Sequence, residues 1–287
     1  MSETAKRDKP LLAVEDLKVS FPTRKGLVEA VRGISFSLGR EKLGIVGESG
    51  SGKSMTGRAI LRLVSRPGIV TAKRLEFDGT DLQSASESQM RQIRGQRISM
   101  VMQDPKFSLN PVIRVGEQIA EAYRTHQKVS RAEANKRALE MLRAVRIRDP
   151  ERVFRAYPHE VSGGMGQRIM IAMMLIPDPD LLIADEPTSA LDVTVQLQVL
   201  AILDDLVSQR GMGLIFISHD LNLVASFCDR VVIMYAGRIM EICDAKNLGA
   251  AKHPYTRGLL NCLPRLDAAG GDLPVLKRDP AWLEHGL

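Results

Sequence analysis

The sequence predicts an α/β fold with a mostly parallel sheet, a helical subdomain inserted in its middle and a short C-terminal tail. Three observations predict it. Short apolar runs rich in β-branched residues recur along the chain, helical stretches alternate with them, and a long segment between the second and third runs has helical periodicity only.

The runs are KLGIVG (42–47), RISMVMQ (97–103), DLLIADE (180–186), GLIFISH (213–219) and RVVIMYAG (230–237). Their near-continuous apolar character is that of strands buried on both faces, as in a parallel sheet. Helical patterns follow the first and third runs, at SMTGRAILRLV (54–64) and TVQLQVLAILDDLVSQR (194–210). The insertion, at about 105–175, contains VGEQIAEAYRTH and SRAEANKRALEMLRAV, the latter opened by Ser130 as a plausible N-cap. From about His253 the pattern dissolves into Pro, Gly and charge, so the stretch 253–287 is expected to be an irregular tail to a domain spanning 1–252.

Composition narrows the class. Of the 287 residues, 44% are hydrophobic and 26% charged, which is ordinary for a globular protein. The net charge of +6 is mild, and its basic residues are interspersed with acidic ones, which argues against dedicated nucleic-acid binding. Cys228, Cys243 and Cys262 have no CxxC spacing, so neither a disulfide framework nor a zinc site is expected and a reducing cytoplasm fits. The polar start MSETAKRDKP lacks a signal-peptide core, and no apolar run approaches the roughly 20 residues that cross a bilayer. The expectation is a cytosolic chain, or one docked on a membrane through another protein.

GESGSGKS carries the first chemistry. Gly47, Glu48, Ser49, Gly50, Ser51, Gly52, Lys53 and Ser54 fit G-x-x-x-x-G-K-[ST] between an apolar strand and a helical run, which is the context a P-loop requires. Its glycines let backbone N–H groups face phosphate oxygens, Lys53 supplies a cation for the β and γ phosphates, and Ser54 offers a hydroxyl to Mg²⁺. ATP or GTP is the expected ligand. A metal at such a loop needs a carboxylate at a strand end, and LLIADEP supplies Asp185 for the Mg²⁺ shell and Glu186 to polarise the attacking water.

With VSGGMGQR lying shortly before LLIADEP, the chain resembles the ATP-binding subunit of ABC transporters over nearly its whole length. The resemblance implies a P-loop (RecA-like) core. GESGSGKS matches the Walker A loop, LLIADEP the Walker B strand and SGGMGQR the family signature; Gln103 falls at the Q-loop, SALD (189–192) at the D-loop and His219 at the switch histidine. By this resemblance Glu186, His219 and Gln103 are catalytic, and Ser54, Gln103 and Asp185 surround Mg²⁺. Ser162, Gly163 and Gly164 would face the nucleotide held by a second cassette, and Gln167 and Asp192 would be among the nucleotide-binding residues. Phe21 is either core or the aromatic that stacks on adenine, and Gln103 is either a helix cap or the link between metal and membrane partner. Gly166 stands where relatives usually have a long polar or basic residue, and Val161 where Leu is common; Gly costs roughly 1 kcal/mol inside a helix and could soften its start.

KHPYTRGLL (252–260), MQDPKFSLNPVIRVGEQIAE (102–121) and DEPTSALDVTVQLQVL (185–200) are similar to the oligopeptide, dipeptide and nickel importer branch. That branch implies an ATPase that takes ATP and Mg²⁺ and works from the cytoplasmic face of the inner membrane as a peripheral subunit. Its partners would be two transmembrane permeases, an extracytoplasmic solute-binding protein and a second ATPase, similar or identical; no nucleic-acid partner is expected. Peptides lead as cargo, with nickel and opines as alternatives. With no Cys after Cys262, no iron–sulfur cluster is expected. The rival class is a soluble ABC ATPase of DNA repair or translation, whose doubled domains or long coiled coil are not found here.

Overall fold

The structure, a computed structural model, describes residues 9–103, 108–189, 191–262, 276 and 278–283. The chain divides into two compact units, 1–84 with 216–287, and 85–215.

The first unit opens with an antiparallel sheet. Strands β1 (Leu12–Thr23) and β2 (Gly26–Leu38) form a hairpin, and β4 (Ile69–Thr71) and β5 (Arg74–Phe77) pair with β1, with β6 (Thr80–Asp81) on β5. Val14, Leu17, Val19, Ile34, Phe36 and Leu38 form its buried face, while the hairpin tip is exposed. The sequence expectation omitted this sheet. Its strands alternate between apolar and polar residues across register shifts at Val14–Leu17 and Val19–Ser20, which blurs the period-2 signal.

Strand β3 (Lys42–Gly47) is buried from Leu43 onward and pairs in parallel with β10 (Arg230–Tyr235), which turns antiparallel into β11 (Arg238–Asp244). Ala236 and Gly237 make that turn, both with positive φ (46° and 84°), the two-residue geometry that matches the twist of a hairpin. Helix α1 (Lys53–Ile60) follows β3. It stops earlier than the helical pattern suggested, because Arg62 takes a left-handed φ of 53°.

The tail contains more order than expected. After β11, α9 (Pro254–Asn261) forms, with His253 as N-cap accepting the Tyr255 N–H on Nδ1 at 3.1 Å and Pro254 in the first turn. Glu241 accepts the N–H of Lys252 at 2.7 Å and of His253 at 3.2 Å, and Tyr255 is fully buried. A short 3₁₀ turn follows at Pro280–Leu283. The apolar signal is one Tyr and a few leucines, too short for a periodicity argument. Residues 263–275, 277 and 284–287 of the tail, and 104–107 at the start of the insertion, lie outside the described residues.

In the second unit β7 (Ile98–Val101) and β8 (Leu181–Asp185) pair in parallel, every residue buried, and the Arg97–Asp180 ion pair (2.6 Å) ties their entries together. Before them stands α2 (Glu87–Ile93), held by a capping box of Ser86 and Gln89. The insertion supplies α3 (Val115–His126), α4 (Arg131–Ala144), α5 (Pro150–Arg155) and α6 (Gly163–Leu175), with Ser130, Asp149 and Ser162 as N-caps of the last three. The long α7 (Val193–Arg210) follows β8 and ends on Gly211 in the left-handed region, as a C-terminal glycine permits. From its last turn Arg210 donates to the Leu175 carbonyl at 2.6 Å, closing the end of α6. Strand β9 (Gly213–Ser218) begins here and runs on into α8 (Leu221–Phe227), which is capped by Asp220 and belongs to the first unit.

Candidate active site

The phosphate loop lies between β3 and α1 in the first unit. Gly52 caps α1 at φ 99°, where a Cβ would also come within 2.6 Å of the Ala30 carbonyl oxygen, so only glycine fits. It brings no side chain to the cap, and the first turn of α1 carries no acidic residue. The leading N–H groups of the helix therefore meet no competing carboxylate of their own turn, which suits an anion. Lys53 is 5% exposed and its Nζ donates to the carbonyls of Gly47 (2.8 Å) and Glu48 (2.9 Å), drawing the loop around the ammonium. Ser51 is buried and accepts the Gly237 N–H on its carbonyl at 3.1 Å. Gly237 was absent from the sequence candidates, although the YAGR turn after an apolar run was visible. Ser54 is half-buried, and Ser49 and Gly50 are exposed.

Two other candidates belong to this unit. His219 directly follows β9 and is exposed. Phe21 is half-buried on β1 opposite Val28, and a Cβ on Gly68 would meet its ring edge at 2.7 Å and Val64 at 2.5 Å.

In the second unit, Asp185 ends β8 at 4% exposure and Glu186 turns out of it with φ 47°. A left-handed Glu is uncommon, and such strain is kept where the surrounding structure holds it. Here the Glu186 carbonyl accepts the Ser189 N–H (3.3 Å) and hydroxyl (3.2 Å), and Gln103 Nε2 donates to Glu186 Oε2 at 3.1 Å. Gln103 is thus placed on the carboxylate, a contact that the sequence did not reveal.

The signature begins α6. Ser162 Oγ accepts the Met165 N–H at 3.4 Å, and Gly163 has open space where a Cβ would be. At Gly164 a Cβ would lie 2.6 Å from Val195 of α7, so the start of α6 stands against the start of α7, where Asp192 accepts the Val195 N–H at 3.0 Å. The helix is intact through Gly166. Gln167, in contrast, is 2% exposed, with its Nε2 lacking a hydrogen bond among the described residues, and does not join the exposed helix start.

Residues 31–189 match the family model described as ABC transporter. The chain belongs to the ABC transporter family. This cassette is an ATPase with the ABC cassette fold. A dimeric ATP-binding cassette, MJ0796, in a post-hydrolysis state bound to ADP and Pi, superposes with TM-score 0.74 at 25% identity, covering 82% of this chain and 99% of that one. Among curated relatives, a probable peptide ABC transporter ATP-binding protein of Sinorhizobium fredii is 53% identical over 93% of the cassette and 83% of its own length. The oligopeptide transport ATP-binding protein OppD of Bacillus subtilis is 49% identical, over 91% and 74%. No helix among the described residues is long and apolar enough to cross a membrane.

Proposed function

We propose that this cassette powers a bacterial peptide importer, as one of two ATPase subunits beneath two membrane permeases. The observation that carries the reading is near-full-length similarity to relatives named for oligopeptide and dipeptide transport, at 46–53% identity. It is a peripheral subunit on the cytoplasmic side, and residues 1–252 act as its nucleotide-binding domain. Cargo is chosen by an extracytoplasmic binding protein and the permeases.

In this reading the loop Gly47–Ser54 holds the phosphates of ATP. The Lys53 ammonium, which donates to two neutral carbonyls, gains a charged acceptor in the phosphate, a stronger partner. Ser54, Asp185 and Gln103 carry the oxygen atoms that would hold Mg²⁺, which when bound would neutralise charge on the nucleotide phosphates. Glu186 orients the attacking water and takes its proton; Gln103 fixes the direction of that carboxylate. His219 holds the γ phosphate, and the half-exposed ring of Phe21 offers a face for adenine. Ser162 and Gly163, with the exposed start of α6, meet the nucleotide of a second cassette.

The test is a pull-down of tagged Glu186→Gln cassette from native membranes in ATP and Mg²⁺. Two permeases and a second ATPase should be recovered, and the binding protein encoded with them screened for peptides. A nickel or opine ligand would move the cargo, and exclusively soluble partners would overturn the transport reading in favour of a repair or translation ATPase.

A further inference from the structure

The C-terminal segment folds back onto the phosphate loop within the first unit. Fully buried Tyr255 packs on Tyr235, the last residue of β10, at 4.7 Å between ring centroids, and edge-on to Trp282 at 5.6 Å. Trp282 also stands edge-on to Tyr235 at 6.2 Å and lies 6.0 Å from His253. Leu276 seats on Gly258, where a Cβ would come within 2.1 Å of its Cδ1. These contacts deliver Arg278 to the loop, with its guanidinium 2.9 Å from Glu48 Oε2. The Tyr255 hydroxyl lies beside the same residue; burial first, and then the Glu48 carboxylate, hold it well above its ordinary range.

Glu48 is the second residue of the loop, and its own carbonyl accepts from Lys53. A carboxylate there is a negative charge beside a place built for a polyanion, and like charges at such separations repel. Arg278 offsets it. At 62% and 31% side-chain exposure the pair contributes little to folding, so its consequence lies in the local field and in the direction of the Glu48 side chain.

We infer that Arg278, carried by the Tyr255–Trp282 aromatic dock, is a positioning residue of the ATPase: it neutralises and orients Glu48 and so sets the loop's affinity for phosphate. The inference rests on the reading that Gly47–Ser54 holds the phosphates of ATP.

The experiment titrates the full chain with a fluorescent ATP analogue and Mg²⁺ at low and high salt, and records the unfolding midpoint without nucleotide. Arg278→Gln should weaken binding about threefold to fivefold, more at low salt, with the midpoint moved by less than about 2 °C. Arg278→Lys should recover most of the loss. Glu48→Gln removes the charge that Arg278 answers, so adding Arg278→Gln to it should change affinity by less than about twofold. Wild-type affinity in Arg278→Gln, or its full penalty persisting in the Glu48→Gln background, overturns the inference. Lys53→Ala separates the two claims. If it loses binding while Arg278→Gln does not, only the role of Arg278 fails; if it binds like wild type, the loop reading itself fails.

Discussion

At Glu186, a left-handed backbone and the amide of Gln103 hold one carboxylate in place. Glu186→Gln keeps the size and the Gln103 neighbourhood but removes the base, so nucleotide binding should persist while phosphate release falls by about 10²–10⁴-fold. Equal losses of both would assign Glu186 to binding. The cysteines make a different residue-scale statement. Burial pushes the Cys228 thiol up to about 12, and burial with the Glu241 and Asp244 carboxylates pushes Cys243 up to about 11. Cys228 is buried and Cys243 is half-buried. A pKa raised on folding stabilises the fold below the unfolded value near 9 and ceases to do so as pH climbs from there towards 11–12. At pH 8 both thiols should resist iodoacetamide in the native chain and react once it unfolds, which mass spectrometry of the alkylated peptides reads directly.

At the scale of elements, close approach sets the sequence. Gly44 of β3 faces α8, where a Cβ would lie 2.1 Å from Val224 and 3.2 Å from the Cys228 sulfur. Gly44→Ala should cost about 1–3 kcal/mol in denaturant unfolding, and adding Val224→Ala should recover part of it. The start of α6 is the opposite case, open instead of crowded. Ser162→Arg should leave binding by a dilute, isolated chain nearly unchanged while abolishing turnover at any concentration; loss of both in parallel would put the signature on the chain's own nucleotide. Elements were legible where one signal sufficed. Apolar runs located β3, β7, β8, β9 and β10, and Ser130 with its following periodicity located α4. The antiparallel sheet was missed because its strands show one face to water and shift register, and α9 because its stability comes from Glu241, His253 and one buried Tyr, tertiary contacts with no local period.

For the whole molecule, the motifs were readable because each is a short stretch whose chemistry is set by residue type and spacing. What joins them was not. The Gln103–Glu186 hydrogen bond spans 83 positions and the Arg278–Glu48 pair spans 230, distances over which a single sequence carries no pairing signal. Family membership supplies the activity, and the tail brings Arg278 to Glu48 of the phosphate loop.

The hydrogen bond from the Gly237 amide to the Ser51 carbonyl has one more use. The same turn residue accepts the Arg32 N–H on its carbonyl at 2.7 Å, so a single residue bridges the β2 strand and the phosphate loop. That amide proton can trade with deuterium only when loop and hairpin part. Its exchange rate is therefore a clock for loop opening that needs neither label nor substitution, and slowing of that clock by ATP would measure, in the free-energy units of local unfolding, how firmly nucleotide closes the loop.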